Sequence, residues 1–348
     1  MSGGTMPATI RPMREDDRQR WDAFVEAHPQ GRPFHLSAWR QAVQQGLGHD
    51  CPWLLAERDG AIRGVLPLVR VKSPLFGHAL ISTGFAVEGG PLAVDAETVE
   101  LLVAAAEAPD MRRGARLELR SAPPERAGWT AREGLYYGFR KPLDPDPERN
   151  LQQIRRKQRA VIRKGLAMGL QAAIDPGIER FFAIYAASVH RLGTPVFPKR
   201  WFAALARAFN ERCEVLTVVQ GGHPLASVMS LYWRGEVLPY YGGSLPEGRA
   251  LAASDVMYAE LMRHAVAVRG ASLFDFGRSK AGTGAFDFKR HWGFMPEPLV
   301  YGFWSADGAP PPEINPLNPR YAAFVAVWKR LPLPLTKILG PPIARQLG

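Results

Sequence analysis

The sequence predicts an α/β protein of two tandem domains, each a mixed central sheet flanked by helices. An order of elements that occurs twice and a proline-rich stretch between the two occurrences lead to this reading. In the first occurrence, Trp53-Leu54-Leu55-Ala56-Glu57 reads as a strand running into a turn at Asp59-Gly60, and Ile62 to Val69 returns as its partner. In the second, Val215-Leu216-Thr217-Val218-Val219 meets Gly221-Gly222, and Leu225 to Tyr232 returns. Each hairpin follows a helical stretch, Leu36 to Leu47 or Lys199 to Phe209. Each is followed by a strand, a helix (Ala96 to Ala106; Ala253 to Val268) and a last strand (Leu117-Glu118-Leu119; Leu273-Phe274-Asp275-Phe276). The 348 residues suit two domains. A hydrophobic fraction of 46%, with nine Trp and seventeen Phe, supplies two cores.

Between the copies lies Lys141-Pro142-Leu143-Asp144-Pro145-Asp146-Pro147, whose prolines exclude regular structure and favour a stiff, extended connector. Asn150 then caps a helix running to about Gly169. Leu151, Ile154, Val161, Ile162 and Leu166 lie on one arc, and Arg156, Lys157, Arg159, Arg163 and Lys164 on the other. The basic arc is either a solvated helix face or a contact for a polyanion. From Pro310-Pro311-Pro312 onward the chain is apolar, cationic and broken by prolines, with a helical stretch from Tyr321 to Arg330. This tail either packs back on the body or forms an interfacial patch on an anionic membrane. The expected division is residues 8–145 and 171–306 as domains, 146–170 as a basic linker helix, and 307–348 as the tail.

A net charge of +11 points to an anionic partner: phosphates, nucleotide-sugars, nucleic acid or an acidic membrane surface. Two widely separated cysteines, Cys51 and Cys213, give neither a disulfide framework nor a metal-ligand cluster, so no metal site is expected and a reducing, cytoplasmic setting is. Met1 to Asp17 carries no apolar segment of the kind a secretory signal needs, and no apolar run in the chain is long enough to span a bilayer.

The richest chemistry lies between Phe274 and Phe294. A strand ends at Gly277, and Arg278, Lys280, Thr283, Lys289 and Arg290 then crowd around Gly282 and Gly284. A strand end followed by a glycine turn with cations is a seat for an anion, or else a solvated basic loop. Lys289 and Arg278 suit stabilisation of an oxyanion or a phosphate. Asp275 could orient or deprotonate an amine, or serve as a partner for Arg278 or as a turn cap. Gly282-Thr283-Gly284 allows backbone N–H groups to approach an anion. Tyr240 and Tyr241 end a strand ahead of the second helix and read as core aromatics. His190 and His291 read as structural, Trp292 and Phe294 as buried anchors, and Trp39 as their counterpart in the first half.

The doubled order of elements resembles the GNAT acyltransferase superfamily in its tandem, FemAB-like form. Four segments carry a closer likeness: Pro33-Phe34-His35-Leu36-Ser37-Ala38-Trp39, Arg159-Ala160-Val161-Ile162-Arg163-Lys164-Gly165, His190-Arg191-Leu192-Gly193-Thr194-Pro195, and the run from Phe274 to Phe294. They are similar to the FemAB-like branch associated with exosortase (PEP-CTERM) and exopolysaccharide systems, over roughly residues 10–305. The resemblance implies transfer of an aminoacyl or acyl group to an amine, forming an amide or ester on a cell-envelope or exopolysaccharide precursor. It also implies a Phe-Lys pair near the reacting centre, matched by Phe288-Lys289.

Substrate contacts are accordingly expected from Phe288, Lys280, Gly282, Thr283, Gly284, Tyr240, Tyr241, Arg159, Arg163 and Trp39. No resident cofactor is called for. The donor is aminoacyl-tRNA or acyl-coenzyme A, and the acceptor an anionic small molecule or a lipid-linked sugar or peptide at the inner face of the membrane. The chain departs from the family in lacking the long helical arm of some members. It also lacks the Arg/Gln-x-x-Gly-x-Gly/Ala turn with which GNAT enzymes cradle the coenzyme A pyrophosphate: before Ala253 it reads Glu247-Gly248-Arg249-Ala250-Leu251-Ala252, and before Ala96 Gly89-Gly90-Pro91-Leu92. Two further readings stay open: a coenzyme A-dependent sugar N- or O-acetyltransferase, and a non-catalytic binder of polyanions or membrane surfaces.

Overall fold

The computed structural model describes residues 8–74, 77–308 and 319–348. The expectations for Met1 to Pro7 and for Pro310-Pro311-Pro312 lie outside them. The chain forms two compact units, one of Met1–Glu133, Val300–Glu313 and Arg345–Gly348, the other of Gly134–Leu299 and Ile314–Ala344.

In the first unit, strand β1 (Thr9–Pro12) is followed by helices α1 (Arg18–Ala27) and α2 (Ser37–Leu47), and then by the hairpin of β2 (Leu54–Arg58) and β3 (Ala61–Leu66). Ile62 to Val69 does not form the single strand expected. Pro67 has no N–H to give a ladder, and it divides the run into β3 and β4 (Leu68–Ser73), which join different sheets. Next come β5 (Gly77–Ser82), β6 (Leu92–Ala93), α3 (Ala96–Glu107), the short α4 (Pro109–Arg112) and β7 (Arg116–Leu119). One sheet is ordered β1-β2-β3-β6. In the other, β4 pairs antiparallel with β5, and β5 parallel with β7 across the α3 crossover. Leu54, Leu66, Leu80, Leu102, Val103 and Leu117 build the core under α3.

The chain enters the second unit within β8 (Trp129–Pro142). The prolines expected to exclude regular structure each take a position that tolerates them. Pro142 ends β8, Pro145 lies in a loop, and Pro147 opens α5 (Pro147–Gln152), where an N–H would have no helical partner. The helix expected from Asn150 to Gly169 is two helices, α5 and α6 (Arg156–Ala167), with the buried Ile154 in the break. Asp146 caps α5. Asn150 instead stitches the preceding loop, accepting from the Asp144 N–H at 2.8 Å and donating to the Asp144 carbonyl at 2.7 Å.

The order then continues through β9 (Gln171–Asp175), α7 (Glu179–Leu192), α8 (Lys199–Phe209), the hairpin of β10 (Cys213–Gln220) and β11 (His223–Trp233), β12 (Glu236–Ser244), the short α9 (Pro246–Ala250), α10 (Ala253–Ala267) and β13 (Leu273–Asp275). The sheet runs β8-β13-β12-β11-β10-β9, with β12 and β13 parallel and its other pairs antiparallel. Both units thus hold a mixed sheet with a helical crossover between its parallel strands, the α/β arrangement that the repeated order predicts.

Residues 284–291, expected as part of a glycine-rich loop, form α11 (Gly284–His291). Thr283 caps it by accepting the Phe286 N–H at 3.3 Å. Strand β14 (Pro296–Trp304) carries the chain back to the first unit, where Gly302, Phe303 and Trp304 pair with β7. Helix α12 (Pro319–Arg330) matches the expected tail helix. A further helix, α13 (Leu333–Ala344), forms despite Pro334, Pro341 and Pro342.

Two glycines at the end of β12 have different structural demands. A Cβ on Gly243 would lie 2.7 Å from the Ser188 Cβ and 3.2 Å from the Tyr185 Cα on α7, whereas one on Gly242 would meet nothing nearer than 3.4 Å. Gly243→Ala should destabilise the protein by about 1–3 kcal/mol through overpacking, while Gly242→Ala should stay within about 0.5 kcal/mol. Urea unfolding of the two variants tests this, and equal midpoints would refute it.

Candidate active site

The site follows from the way β12 and β13 part. Their parallel ladder holds the pairs Glu236↔Leu273 and Val237↔Phe274. Beyond it, β12 stays with β11, pairing as far as Ala226↔Ser244. β13 stays with β8 through Asp275↔Arg140, and the Phe276 N–H donates to the Phe139 carbonyl at 2.8 Å. A register shift opposite Met229/Ser230 places a bulge in β12 near Tyr240 and adds bend at the same point. The end of β12 and the start of α10 enclose a cavity of about 150 Å³, lined by Ser188, Arg191, Gly242, Gly243, Ser244, Arg249, Ser254, Met257 and Tyr258.

The cavity is cationic. Arg191, near the end of α7, donates through one terminal nitrogen to the Ser244 carbonyl at 3.3 Å, and its buried Nε has no partner among the described residues. Burial, and then the nearby Arg249 guanidinium, lower its pKa from the ordinary value. Two like charges at one opening favour an anion between them. Ala252 enters α10 at φ +60° with no side chain to cap the first turn, and Ser254 in that turn lines the cavity. A left-handed alanine costs about 1 kcal/mol and marks a backbone held by its surroundings.

Tyr258 links the cavity to a second cluster. Its ring packs on Phe276 at 4.7 Å, Phe288 at 5.7 Å and Trp292 at 6.2 Å between centroids. Behind these rings lies Lys289, 8% exposed. Its Nζ donates to the carbonyls of Gly277 at 3.2 Å and Arg278 at 3.1 Å, and stands 5.2 Å from the centre of the Phe139 ring. Burial brings its pKa down to about 7 against the opposing pull of Asp275, so neutral amine and ammonium coexist at neutral pH. The amine can serve both carbonyls with its two N–H groups and keep a lone pair, while the ammonium has a third donor to aim elsewhere.

The remaining residues singled out from the sequence fall into three groups. Around Lys289, Asp275 pairs with the Arg140 Nε at 3.0 Å and accepts the Gly277 N–H at 2.8 Å, which makes it a turn cap. The Arg278 guanidinium lies 4.2 Å, and the Lys280 ammonium 5.1 Å, from the centre of the Tyr136 ring. Gly282, at φ +74°, Thr283 and Gly284 form the approach to α11. Near the cavity, Tyr241 accepts from the Trp201 Nε1 at 3.1 Å and packs on Tyr185 and Phe202, with Tyr240 against it.

Apart from both, Arg159 donates to the Gln152 carbonyl at 2.9 Å, and Arg163 is exposed on α6. Trp39 belongs to the first unit. It is fully buried with its indole N–H on the Gly84 carbonyl at 3.1 Å, which leaves no face for a ligand and makes it a core anchor. Trp292 and Phe294 are buried as expected, and Asp255 in the first turn of α10 accepts the Trp292 indole N–H at 3.2 Å. His190 donates through Nε2–H to the Leu331 carbonyl at 2.9 Å.

Sequence reasoning did not single out Arg140, Arg191, Arg249, Ser188, Ser254 or Tyr258 as site residues. Arg191 and Arg249 stand at the end of α7 and in the short α9, and no local pattern in the sequence connects the two.

The buried amine has a stability signature. The unfolded chain keeps the Lys289 proton up to the ordinary value of 10.5 and the folded chain only up to about 7. The unfolded state therefore binds more protons between these values, and this group makes stability rise with pH across that window. The urea midpoint should climb between about pH 7 and pH 9 more steeply in the native protein than in Lys289→Met. Identical pH dependence would show Lys289 to be an ordinary exposed-type amine.

Residues 148–290 match the model of the acetyltransferase (GNAT) domain family. No curated protein matches the chain. Among solved structures, FemX superposes with a TM-score of 0.66 at 16% identity, covering 84% of this chain and 96% of its own. A C-terminal domain assigned to a lysylphosphatidylglycerol synthetase of Agrobacterium fabrum gives 0.56 at 16% identity, with 84% and 93% covered. A tandem GNAT protein from the clavulanic acid biosynthesis pathway gives 0.52 at 13% identity, with 87% and 99% covered. Residues 148–290 carry the match to the acetyltransferase (GNAT) domain, the solved structures share the fold, and the chain is an acyltransferase.

Proposed function

We propose that the second unit binds an activated aminoacyl or acyl donor by its phosphate at Arg191 and Arg249. It passes the acyl group to an amine of a cell-envelope or exopolysaccharide precursor, as FemAB-like transferases of the exosortase/PEP-CTERM branch are expected to do. The observation that carries the reading is the sequence of groups from the cationic cavity, past Tyr258 and Phe288, to the buried amine of Lys289. Aminoacyl-tRNA is the donor favoured by the resemblance. The acceptor is an anionic or lipid-linked sugar or peptide, and the reaction runs on the cytoplasmic side.

The chemistry balances with one proton carrier. The acceptor nitrogen attacks the acyl carbonyl, forming a C–N bond and an oxyanion, and the neutral Lys289 amine takes the proton released. As an ammonium it faces the oxyanion, a role shared with Arg278. When the intermediate collapses the ester C–O bond breaks, and Lys289 returns the proton to the departing oxygen. Phe288 and Tyr258 must turn to admit the carbonyl. Asp275 acts through Arg140 and the Gly277 turn as a positioning group. Lys280 and Gly282-Thr283-Gly284 offer secondary contacts to phosphates, as do Arg159 and Arg163, with Tyr240 and Tyr241 walling the donor side.

A second reading, transfer from acetyl-coenzyme A to a sugar amine or hydroxyl, is favoured by the GNAT model match and by the paired arginines, which suit a pyrophosphate. Calorimetric titration with acetyl-coenzyme A and with charged and uncharged tRNA separates the two. Under the first reading charged tRNA binds more tightly than uncharged, Arg249→Ala weakens it about tenfold, and acetyl-coenzyme A does not bind. In the turnover assay that follows, Lys289→Ala should lower kcat at least about a hundredfold and abolish a rise in rate through about pH 7. Full turnover in Lys289→Ala with the fold intact would remove Lys289 from the mechanism.

A further inference from the structure

The tail helices are amphipathic in the wrong sense for a helix that only packs on its own protein. In α13 the buried positions are Thr336, Gly340 and Ala344, a face of small residues at a spacing of four. A Cβ on Gly340 would lie 2.9 Å from the Val196 backbone nitrogen, so this face sits directly on the body of the unit. The large side chains point away: Leu335, Ile338 and Leu339 are 39%, 71% and 43% exposed. In α12, Trp328 is buried while Phe324 and Val327 are exposed. A Cβ on Gly193 at the end of α7 would meet Val325 at 2.5 Å, which sets the exposed Leu192 beside α12.

Charge identifies what covers this face. Residues 323–348 contain Lys329, Arg330, Lys337 and Arg345 and no Asp or Glu. No described helix is long and apolar enough to cross a bilayer. Exposed apolar side chains interleaved with cations alone match the interface of an anionic leaflet, where acyl chains take the former and headgroup phosphates the latter.

We infer that α12 and α13 form a docking surface for anionic phospholipid membranes, lying on the leaflet without spanning it. The inference is independent of the acyl-transfer reading, since none of these side chains lines the cavity or touches Lys289.

The test is co-sedimentation of the full chain with phosphatidylcholine vesicles and with vesicles containing an equal share of phosphatidylglycerol. The expected result is binding to the mixed vesicles at least about tenfold tighter than to phosphatidylcholine, weakening as salt is raised. Lys329→Gln/Arg330→Gln/Lys337→Gln should lose that preference at about fivefold per cation. Val327→Ser/Ile338→Ser/Leu339→Ser, which alters only exposed positions, should lose about tenfold or more with an unchanged melting temperature. Equal binding to both vesicle types, or no loss in either variant, would overturn the inference. So would self-association that vanishes in the serine variant while vesicles stay bare, which would make a second copy of this chain the partner.

Discussion

Two strands that begin as neighbours and then choose different partners organise the second unit. After Val237 and Phe274, the hydrogen-bond demand of β12 is met by β11 and that of β13 by β8 and the residues after it. No sheet can close over such a fork, so side chains and α10 must fill it. At the end of β12 the filling is incomplete and cationic. At the end of β13 it is aromatic and buries a lysine. The cavity and the neutral-leaning amine are thus two products of one backbone decision, and Tyr258 stands where they meet.

The energetic character of the two halves of this fork differs. Arg191 and Arg249 repel each other, and the buried Arg191 Nε has no partner among the described residues, so an anion held between the two would relieve unfavourable electrostatics. Lys289 instead donates to two carbonyls, and desolvation disfavours its ammonium form. One site gains by taking up charge from outside, and the other by giving up a proton.

Much of the architecture was legible because the signals are local. Asp59-Gly60 and Gly221-Gly222 fix hairpins, the apolar period from Lys199 to Phe209 fixes α8, and the recurrence of the whole order predicts the mixed sheets. The misreadings arose where one residue type carries two meanings. Gly282 and Gly284 read as a turn, yet Thr283 between them is a helix cap, and Pro147 reads as a breaker, yet it is a favoured first residue of a helix. The site was legible in part. The Phe274 to Phe294 run drew notice through its composition, but the environment of Lys289 depends on Phe139, a strand residue far away in sequence, and the cavity arginines come from two distant helix ends. Burial of that kind is a property of packing, which no short motif records.

The chain passes between the units four times, after Glu133, Leu299, Glu313 and Ala344, and this sets an order of assembly. The second unit joins the stretch from Gly134 to Leu299 with Ile314–Ala344, and the first draws the end of β14, from Val300, and its last residues, Arg345–Gly348, from chain made after most of the second. On the ribosome, β7 can pair with β5 at once, but it is synthesised long before β14, which pairs along its other edge. The first unit to begin synthesis is therefore the last to be completed, and until β14 emerges β7 presents an unpaired edge of the kind chaperones guard.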